Sequence, residues 1–393
     1  MAATAVDISR GPRYRSALFL LHVGFLLTGI VNALLGPLLP ILQSRFHAND
    51  SELGALFAAQ FAGASLGGLV SQWRPRLSIV GGFVLIAGGL LALAVSGWGV
   101  VALAVFAFGF GLGAAIPATN MTVAYAAKDG RAASLNVLNL IWGAGAAGSA
   151  LIVAALMRWL HFSGMLFVIS IAAAAVALAL LIVRVPATFP AKRDDRDSTG
   201  AGKLLLYCFL LFLYIGVEGC VGGWAGKYAA TLSSKHFYVT ISLVSFWAAL
   251  LTGRAIAAVL LRHTGEAVLF RASLLTTAAG LAVFFIAHSG AIVVVAALIA
   301  GLGLAPLFAL LLSLMSRYAE AASVNIPGWL FSLGSMGGGA LPWLFGATAT
   351  ASGSLRVALI VPSVGTLLLT FFVLRETATK RTIVPQVQVT DRN

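Results

Sequence analysis

Two long apolar blocks flank one polar segment of mixed charge at residues 184–203, and this pattern constrains the fold more than any other feature. About 20 consecutive apolar residues suffice for a helix to cross the hydrocarbon core of a bilayer, and each block holds six such segments. Because 60% of the residues are hydrophobic and only 9% are charged, a water-soluble core is excluded. The sequence therefore predicts an all-α membrane protein with twelve transmembrane helices. They are expected at residues 16–43, 51–73, 77–95, 98–126, 130–157, 163–184, 204–229, 236–262, 266–288, 291–316, 323–349 and 355–374.

The two blocks predict two six-helix halves related by pseudo-symmetry. We place the N-terminal half at residues 1–184, a linker at 185–203, and the C-terminal half with its tail at 204–393. Internal repetition supports this division, because a Gly-Leu-Gly motif followed by proline occurs in the fourth segment and again in the tenth, about half a chain later. The two copies run from Gly111 to Pro117 and from Gly301 to Pro306.

The basic residues predict the orientation in the membrane. With the N-terminus inside, the twelve segments place 20 of the 25 Lys and Arg residues on the inner side and five outside. Cytoplasmic loops carry an excess of Lys and Arg, so we expect a multi-pass protein of the cell (inner) membrane, surrounded by lipid, with both termini and the linker in the cytoplasm. The net charge of +13 follows these loops instead of forming one patch, and we therefore assign no nucleic-acid partner.

Motifs of cofactor and metal sites are absent or misplaced. A Gly-x-Gly-x-x-Gly pattern at residues 143–148 follows no strand and lies inside an apolar segment, so it indicates close helix packing instead of dinucleotide binding. The sequence has no HExxH motif and no Cys/His cluster with the spacing of metal ligands. We therefore expect no cofactor, no metal ion and no catalytic residues, and predict that the protein is not an enzyme.

One acidic residue lies at membrane depth. Of the 12 Asp and Glu residues, only Glu218 lies in the middle of an apolar segment, whereas the others fall in loops, termini or helix ends. A carboxylate at this depth is costly unless it faces a cavity or a partner, and such residues usually serve function. We therefore predict substrate binding, proton coupling or both for Glu218. The alternative is a carboxyl that only joins helices through a neighbouring hydroxyl or amide.

Amides and indoles at membrane depth complete the predicted binding site. Amides can both donate hydrogen bonds to hydroxyl groups and accept them, while aromatic faces can cover the apolar faces of a sugar ring. The set as a whole favours a small uncharged polar solute, although each amide alone could equally bond across a helix pair and each tryptophan could serve packing. Its members are Asn32, Gln60, Asn120, Asn136, Asn139, Trp224, Trp247, Asn325 and Trp329.

Arg254 lies in the inner third of the eighth segment and is a candidate gating residue. Its guanidinium could pair with a carboxylate or with carbonyl groups at a cytoplasmic gate. It could equally reach along the helix to the membrane interface, as long basic side chains do. The sequence leaves both roles open.

Three segments carry short motifs of a known transporter family. The seventh has Tyr-x-Gly-x-Glu ending at Glu218, the fifth has Leu-Asn-x-x-Asn ending at Asn139, and the eleventh has Gly-Gly-Gly-x-x-Pro ending at Pro342. These motifs resemble those of the fucose, glucose and galactose permeases, a family of the major facilitator superfamily. The resemblance implies a major facilitator fold in which Glu218, Asn136 and Asn139 line a sugar site.

Two acids that the resemblance would place near the site are replaced. Ile116 stands four residues before Asn120, where sugar–proton symporters of this family carry a carboxylate. Gly36 stands four residues before Pro40, where a second acid is expected. If transport is coupled to protons, Glu218 is the only candidate carboxylate at depth. Otherwise the protein is a uniporter, an exchanger, or coupled to another ion.

The sequence thus predicts a secondary active or facilitative transporter that moves a small polar solute, in the first instance a sugar, by alternating access. The main alternative is an exporter of amphipathic, drug-like or lipid-like compounds, against which the amides of Asn120, Asn136 and Asn139 count. A sensor of the same fold would bind a ligand without flux.

Overall fold

The computed structural model describes residues 12–71, 74–127, 131–183, 201–321 and 328–383. Over these ranges the chain forms sixteen α-helices and no strands. The helices are α1 (Pro12–Asn32), α2 (Leu35–Phe46), α3 (Asp50–Ser71), α4 (Pro75–Val95), α5 (Trp98–Ala126), α6 (Arg131–Leu156), α7 (Phe162–Val183), α8 (Ala201–Leu232), α9 (His236–Leu260), α10 (Glu266–Ile286), α11 (Gly290–Leu304), α12 (Leu307–Ala321), α13 (Gly328–Ser335), α14 (Gly337–Ser352), α15 (Leu355–Ala358) and α16 (Ile360–Ile383).

These helices account for twelve membrane spans. Within the described ranges, ten helical segments are long and apolar enough to cross a bilayer, with α11–α12 and α15–α16 each counting as one. The bent pair α1–α2 supplies an eleventh. Helices α13 and α14, divided at Met336, form the remaining apolar segment. The predicted all-α fold with twelve spans is thereby confirmed.

The first span is broken where it reaches the centre of the molecule. Helices α1 and α2 meet at an angle of 44°, with Ala33 and Leu34 between them. Pro37 follows four residues after Ala33 and has no N–H to bond the Ala33 carbonyl, so the helical ladder is interrupted here. Asn32 and Ala33, at this break, line a cavity.

Prolines elsewhere have unequal effects. Pro306 separates α11 from α12. Pro117 and Pro342, where the sequence also favours bends, lie inside the continuous helices α5 and α14. The eleventh span breaks instead at Met336, in a run of glycines.

The two halves, α1–α7 and α8–α16, join through a symmetric set of helix pairs. Helix α3 packs along α13 and α14, α6 packs along α9, and α2 packs against α8 and α9. Each half thus contributes its first, second and fifth span to the junction, as a pseudo-twofold relation requires. The predicted linker at residues 185–203 lies almost entirely outside the described residues, and α8 begins at Ala201.

The repeated Gly-Leu-Gly motifs lie at close helix crossings inside each half. A Cβ on any of the four glycines would approach a backbone atom of a neighbouring helix to between 1.9 and 2.5 Å. In the first half the earlier glycine meets the third span and the later one the second, whereas in the second half the order is reversed. The two copies therefore differ slightly in register. The contacts are Gly111 with Gly82, Gly113 with Ala64, Gly301 with Phe246, and Gly303 with Thr277.

An even number of spans brings the start of α1 and the end of α16 to one face of the bundle, here called the terminal side, and the opposite side is closed. There, Lys227 on α8 forms an ion pair with Asp50 at the start of α3. The backbone N–H of Ser51 donates to Thr350 Oγ1 across the same junction, at 2.8 Å. Gly346 touches the Asp50 backbone, since a Cβ on it would lie 2.2 Å from the Asp50 carbonyl oxygen.

Candidate functional site

A small cavity, here called the central cavity, lies at the junction of the halves. Its volume is about 40 Å³, room for a few water molecules and much less than a typical ligand pocket. Asn32 and Glu218 supply polar groups to its wall, and Phe57, Phe61 and Trp247 supply aromatic faces. A hexose does not fit this cavity in the present conformation.

Glycines on α8 allow the walls to approach so closely. Gly222 lies against Gly36 on α2, where a Cβ would be 3.0 Å from the Gly222 carbonyl oxygen. A Cβ on Gly223 would lie 2.5 Å from the ring of Phe57 on α3. The broken first span therefore meets α8 at the cavity backbone to backbone, and the Phe57 ring of α3 packs directly on the α8 backbone.

Glu218 is the acidic group of the central cavity and has two polar neighbours. Tyr214, one turn earlier on α8, donates a hydrogen bond from its hydroxyl to Glu218 Oε2. Arg254 on α9 places Nη2 3.7 Å from the same oxygen, which is ion-pair distance but too long for a hydrogen bond. Of the two roles that the sequence leaves open for Arg254, the structure contains the pairing with a carboxylate.

Arg254 lies at the edge of the central cavity toward the terminal side. It follows Trp247 by seven residues, two turns on the same face of α9, which amounts to about 10 Å along the helix. Its side chain is 29% exposed, compared with 14% for Glu218. The guanidinium therefore reaches both the carboxylate of the cavity and the open space beyond it.

Asn32 and Gln60 act together at the break in the first span. Asn32 lines the central cavity, and its carbonyl accepts a hydrogen bond from Gln60 Nε2 at 3.1 Å. This bond replaces the helical one that Asn32 loses at the end of α1. Gln60 is 1% exposed, and its Oε1 has no hydrogen-bond partner among the described residues.

Asn136 and Asn139 do not line the central cavity, and both are exposed on α6. Gly143, one turn after Asn139, contacts Leu251 on α9. Since α6 runs away from the terminal side and α9 toward it, Asn139 and Arg254 both lie on the terminal side of this contact. The two asparagines and Arg254 thus lie on the terminal side of the α6–α9 contact, and the region that these three residues define is here called the vestibule.

The other predicted site residues lie elsewhere. Asn120 on α5 donates its amide to the Ile116 carbonyl of its own helix at 3.1 Å. Trp224 is buried against Phe345, with ring centroids 5.0 Å apart, and does not line the central cavity. Trp329 is 44% exposed on α13. Asn325 lies outside the described residues.

The structure also brings forward residues that sequence reasoning missed. Trp142 on α6 packs edge-on against Trp247 on α9, with ring centroids 6.0 Å apart, and so joins the halves beside the cavity. Its Nε1 is buried without a hydrogen-bond partner in the described part of the chain. Phe57 and Phe61 line the cavity. The available signals were the aromatic pair at i and i+4 and an indole one turn after Asn139.

Within the described ranges, no group of three or more His, Cys, Asp and Glu side chains is arranged to hold a metal ion. The ionisable groups described at the central cavity and its edge are instead one carboxylate, Glu218, one guanidinium, Arg254, and one phenol, Tyr214. Such a set can exchange a proton and bind polar or charged groups.

Comparisons with solved structures identify the same arrangement of spans. A bacterial homologue of the human lysosomal transporter Spinster, crystallised in an inward-facing and occupied conformation, is 13% identical, with a TM-score of 0.73 over 94% of this chain and 98% of that one. A POT family transporter in complex with a conjugated peptide is 13% identical, with a TM-score of 0.74 over 92% and 96%. A variant of the E. coli fucose:proton symporter FucP is 18% identical, with a TM-score of 0.62 over 90% and 97%. At these identities the likeness concerns the fold.

A search of curated protein sequences gave no significant match. The sequence model of the Major Facilitator Superfamily, in contrast, matches residues 21–341, most of the chain. The ten or more apolar helices and this match indicate an integral, multi-pass membrane protein that is a transporter and not an enzyme. The chain belongs to the Major Facilitator Superfamily.

Proposed function

We propose that this protein carries a small polar solute, of the size of a sugar, across the cell membrane by alternating access, and that Glu218 couples the movement to protons. One observation supports the proposal above all others. The carboxylate at membrane depth faces a cavity between the two halves, accepts a hydrogen bond from the Tyr214 phenol of its own helix, and lies beside the Arg254 guanidinium of α9. Intramembrane ionisable groups in this position commonly mark substrate or proton pathways.

The state of the cavity supports alternating access. Contacts between the halves, including the Asp50–Lys227 ion pair, seal the side opposite the termini. The vestibule is exposed on the terminal side, which the distribution of basic residues predicts to be cytoplasmic. Substrate would enter a widened central cavity from the vestibule, and rocking of the two halves about the α3–α14 and α6–α9 contacts would open the opposite side.

A sugar is the solute class that the lining favours under this proposal. Phe57, Phe61 and Trp247 offer flat apolar faces, while Asn32 and Glu218 offer hydrogen-bonding groups. Asn136 and Asn139 would join them from the vestibule once the cavity widens. Trp224, Asn120 and Trp329 play no direct part in this scheme. The likeness in fold to a fucose:proton symporter adds support.

An exporter of amphipathic or lipid-like compounds is the second candidate, and one observation favours it. An apolar groove of about 510 Å³ lies between α3, α8 and the eleventh span, lined among others by Phe209, Phe212, Met336 and Trp343. A groove of that size could admit an acyl chain. The carboxylate and guanidinium lie outside this groove, which is why we place the exporter second.

Uptake into proteoliposomes tests the proposal. A labelled hexose panel is measured with and without an imposed pH gradient, comparing the native chain with Glu218→Gln. The control is Glu266→Gln, which also removes the carboxylate of a Glu–Arg pair, but at a site where Arg317 and Glu266 are 46% and 34% exposed. We expect gradient-driven accumulation that Glu218→Gln abolishes and Glu266→Gln preserves.

The other outcomes separate the alternatives. Saturable flux that is independent of the pH gradient would show that the protein is a facilitator. If no polar solute moves and an amphipathic dye does, the exporter replaces the present proposal. Specific binding without any flux would indicate a sensor.

A further inference from the structure

We infer that the solute carries a carboxylate, which takes the place of the Glu218 carboxylate beside the Arg254 guanidinium when Glu218 is protonated. The inference rests on the proposed transport function and deepens it by naming the substrate class as hydroxylated monocarboxylates, such as sugar acids. It comes from the geometry of the Glu218–Arg254 pair.

Arg254 makes no hydrogen bond to the Glu218 carboxylate. A guanidinium has five N–H donors in a planar fork that matches a carboxylate in a bidentate manner. The Glu218 oxygen lies 3.7 Å from Nη2, beyond hydrogen-bond range, and the side chain that Arg254 bonds is Tyr214, whose hydroxyl can accept from one of the five N–H groups. Glu218 instead accepts its hydrogen bond from Tyr214. Arg254 is thus a cation attracted by Glu218 but not bound by it.

Arg254 is partly exposed and lies on the terminal side of the central cavity. Its side chain is 29% exposed at the vestibule, and Asn139 lies on the same side of the Gly143–Leu251 contact. A carboxylate arriving from the vestibule would meet the guanidinium before it met Glu218. The hydroxyl groups of the same solute would reach Asn139 and the polar edge of the central cavity.

Charge balance decides between an anionic and a neutral solute. Among the described residues, Tyr214 and Arg254 are the titratable groups facing Glu218, and the Asp50–Lys227 pair lies nine residues further along α8, about 13 Å away. With Glu218 ionised, the Glu218–Arg254 pair is neutral. Protonating Glu218 leaves a lone cation at membrane depth, which is costly. A monocarboxylate restores neutrality, whereas a neutral sugar does not.

The resulting exchange balances protons and charge. One proton binds a Glu218 carboxylate oxygen, and the solute binds Arg254 as its anion, so the loaded site carries no net charge. On the other side the solute leaves, the proton leaves, and Glu218 returns to Arg254. Transport is therefore electroneutral, with one proton for each carboxylate.

The test compares matched solutes with and without a carboxylate. Labelled gluconate and galacturonate are measured against glucose and galactose in proteoliposomes containing the full chain, with an imposed pH gradient and at two clamped membrane potentials. We expect saturable, proton-driven and potential-independent uptake of an acid. Arg254→Gln should lower kcat/KM for the acid by about 10-fold to 100-fold, Arg254→Lys by less, and the exposed control Arg317→Gln should leave it unchanged.

A second variant tests the inference even if the Arg254 variants do not fold. Glu218→Gln frees Arg254 permanently, so the acid should bind without dependence on pH, measured as thermal stabilisation by gluconate at pH 6 and pH 8. Proton-driven accumulation should disappear in the same variant. A purely structural pair would instead lose stability in Glu218→Gln and gain no binding.

The possible failures are distinguishable. Accumulation of glucose or galactose that neither acid inhibits would overturn the inference and leave the proposed function standing. If no solute moves, the proposed function fails. In that case, the carboxylate site would stand if gluconate raised the unfolding temperature of the native chain but not that of Arg254→Gln. If gluconate stabilised neither, both the inference and the proposed function would be wrong.

Discussion

Lys227 on α8 forms a buried ion pair with Asp50 at the start of α3, and this pair joins the two halves on the closed side of the molecule. The Lys227 side chain is 4% exposed and that of Asp50 is 19% exposed. Its ammonium group also lies 5.6 Å from the centre of the Trp224 ring. An alternating-access cycle has to separate this pair each time the closed side opens.

Asp50→Asn should destabilise the closed state strongly. The substitution leaves Lys227 charged and buried without its partner, which costs about 3–5 kcal/mol in comparable pairs. Thermal unfolding in detergent measures the loss, and the exchanged pair Asp50→Lys with Lys227→Asp should recover part of it. Glu266→Gln breaks an exposed pair and should cost at most about 1 kcal/mol. Equal losses in the two single variants would contradict the role given to Asp50.

Gly346→Ala should disturb the same junction through the backbone. An added Cβ would lie 2.2 Å from the Asp50 carbonyl oxygen, so α3 and α14 must move apart. We expect a lower unfolding temperature and faster modification of a cysteine placed at Thr350. Gly88→Ala is the matched control, because a Cβ there meets nothing within 4 Å. If Gly346→Ala unfolds at the native temperature, the close crossing is not structurally important.

Trp142→Phe should weaken solute binding without loss of the fold. The change keeps an aromatic ring against Trp247 but removes the buried indole N–H that has no partner among the described residues. If that donor serves the solute, KM rises by about 3-fold to 10-fold, the effect of one hydrogen bond. Trp159→Phe, at an indole that is 87% exposed, should leave KM unchanged. An unchanged KM in Trp142→Phe would show that this donor does not bind the solute.

Tyr214→Phe should impair coupling through Glu218. The hydroxyl of Tyr214 is the hydrogen-bond donor to the carboxylate, and a bond to a charged group contributes about 1.5–3 kcal/mol. We expect proton-driven accumulation to slow by at least about 10-fold, with no further loss when the change is made in Glu218→Gln. Tyr228→Phe, on the same helix as Tyr214, removes a hydroxyl that donates to the Phe284 carbonyl on α10, so it should affect stability and leave coupling intact. Additive losses in the double variant would separate Tyr214 from Glu218.

Much of the candidate site could be found from the sequence because charge at membrane depth is rare. Glu218 stood out as the single acid in the middle of a span, and Arg254 as a basic residue close to the end of another. The sequence did not reveal the partners of other charged groups. Lys227 and Asp50 are 177 residues apart and each lies near a span end, where charge is ordinary. The position of Trp142 one turn after Asn139 was a signal, but it did not separate a site residue from a packing residue.

The amides illustrate the limit most clearly. Asn120 and Gln60 satisfy backbone carbonyls, and Asn136 and Asn139 lie in the vestibule, although all four are polar residues in apolar segments. Which of these roles an amide takes depends on how its helix is rotated against its neighbours. A single sequence does not contain that rotation.

The sequence by itself determined the all-α architecture, the number and order of the spans, and the presence of two related halves. In a bilayer each backbone N–H and C=O must be bonded within its own helix, so local hydropathy decides where each span lies. Only the tertiary structure decided that Arg254 meets Glu218, that Lys227 meets Asp50, and that the central cavity is narrow. Those contacts depend on the rotation and register of helices from distant parts of the chain, which are set by packing of small residues over the whole junction.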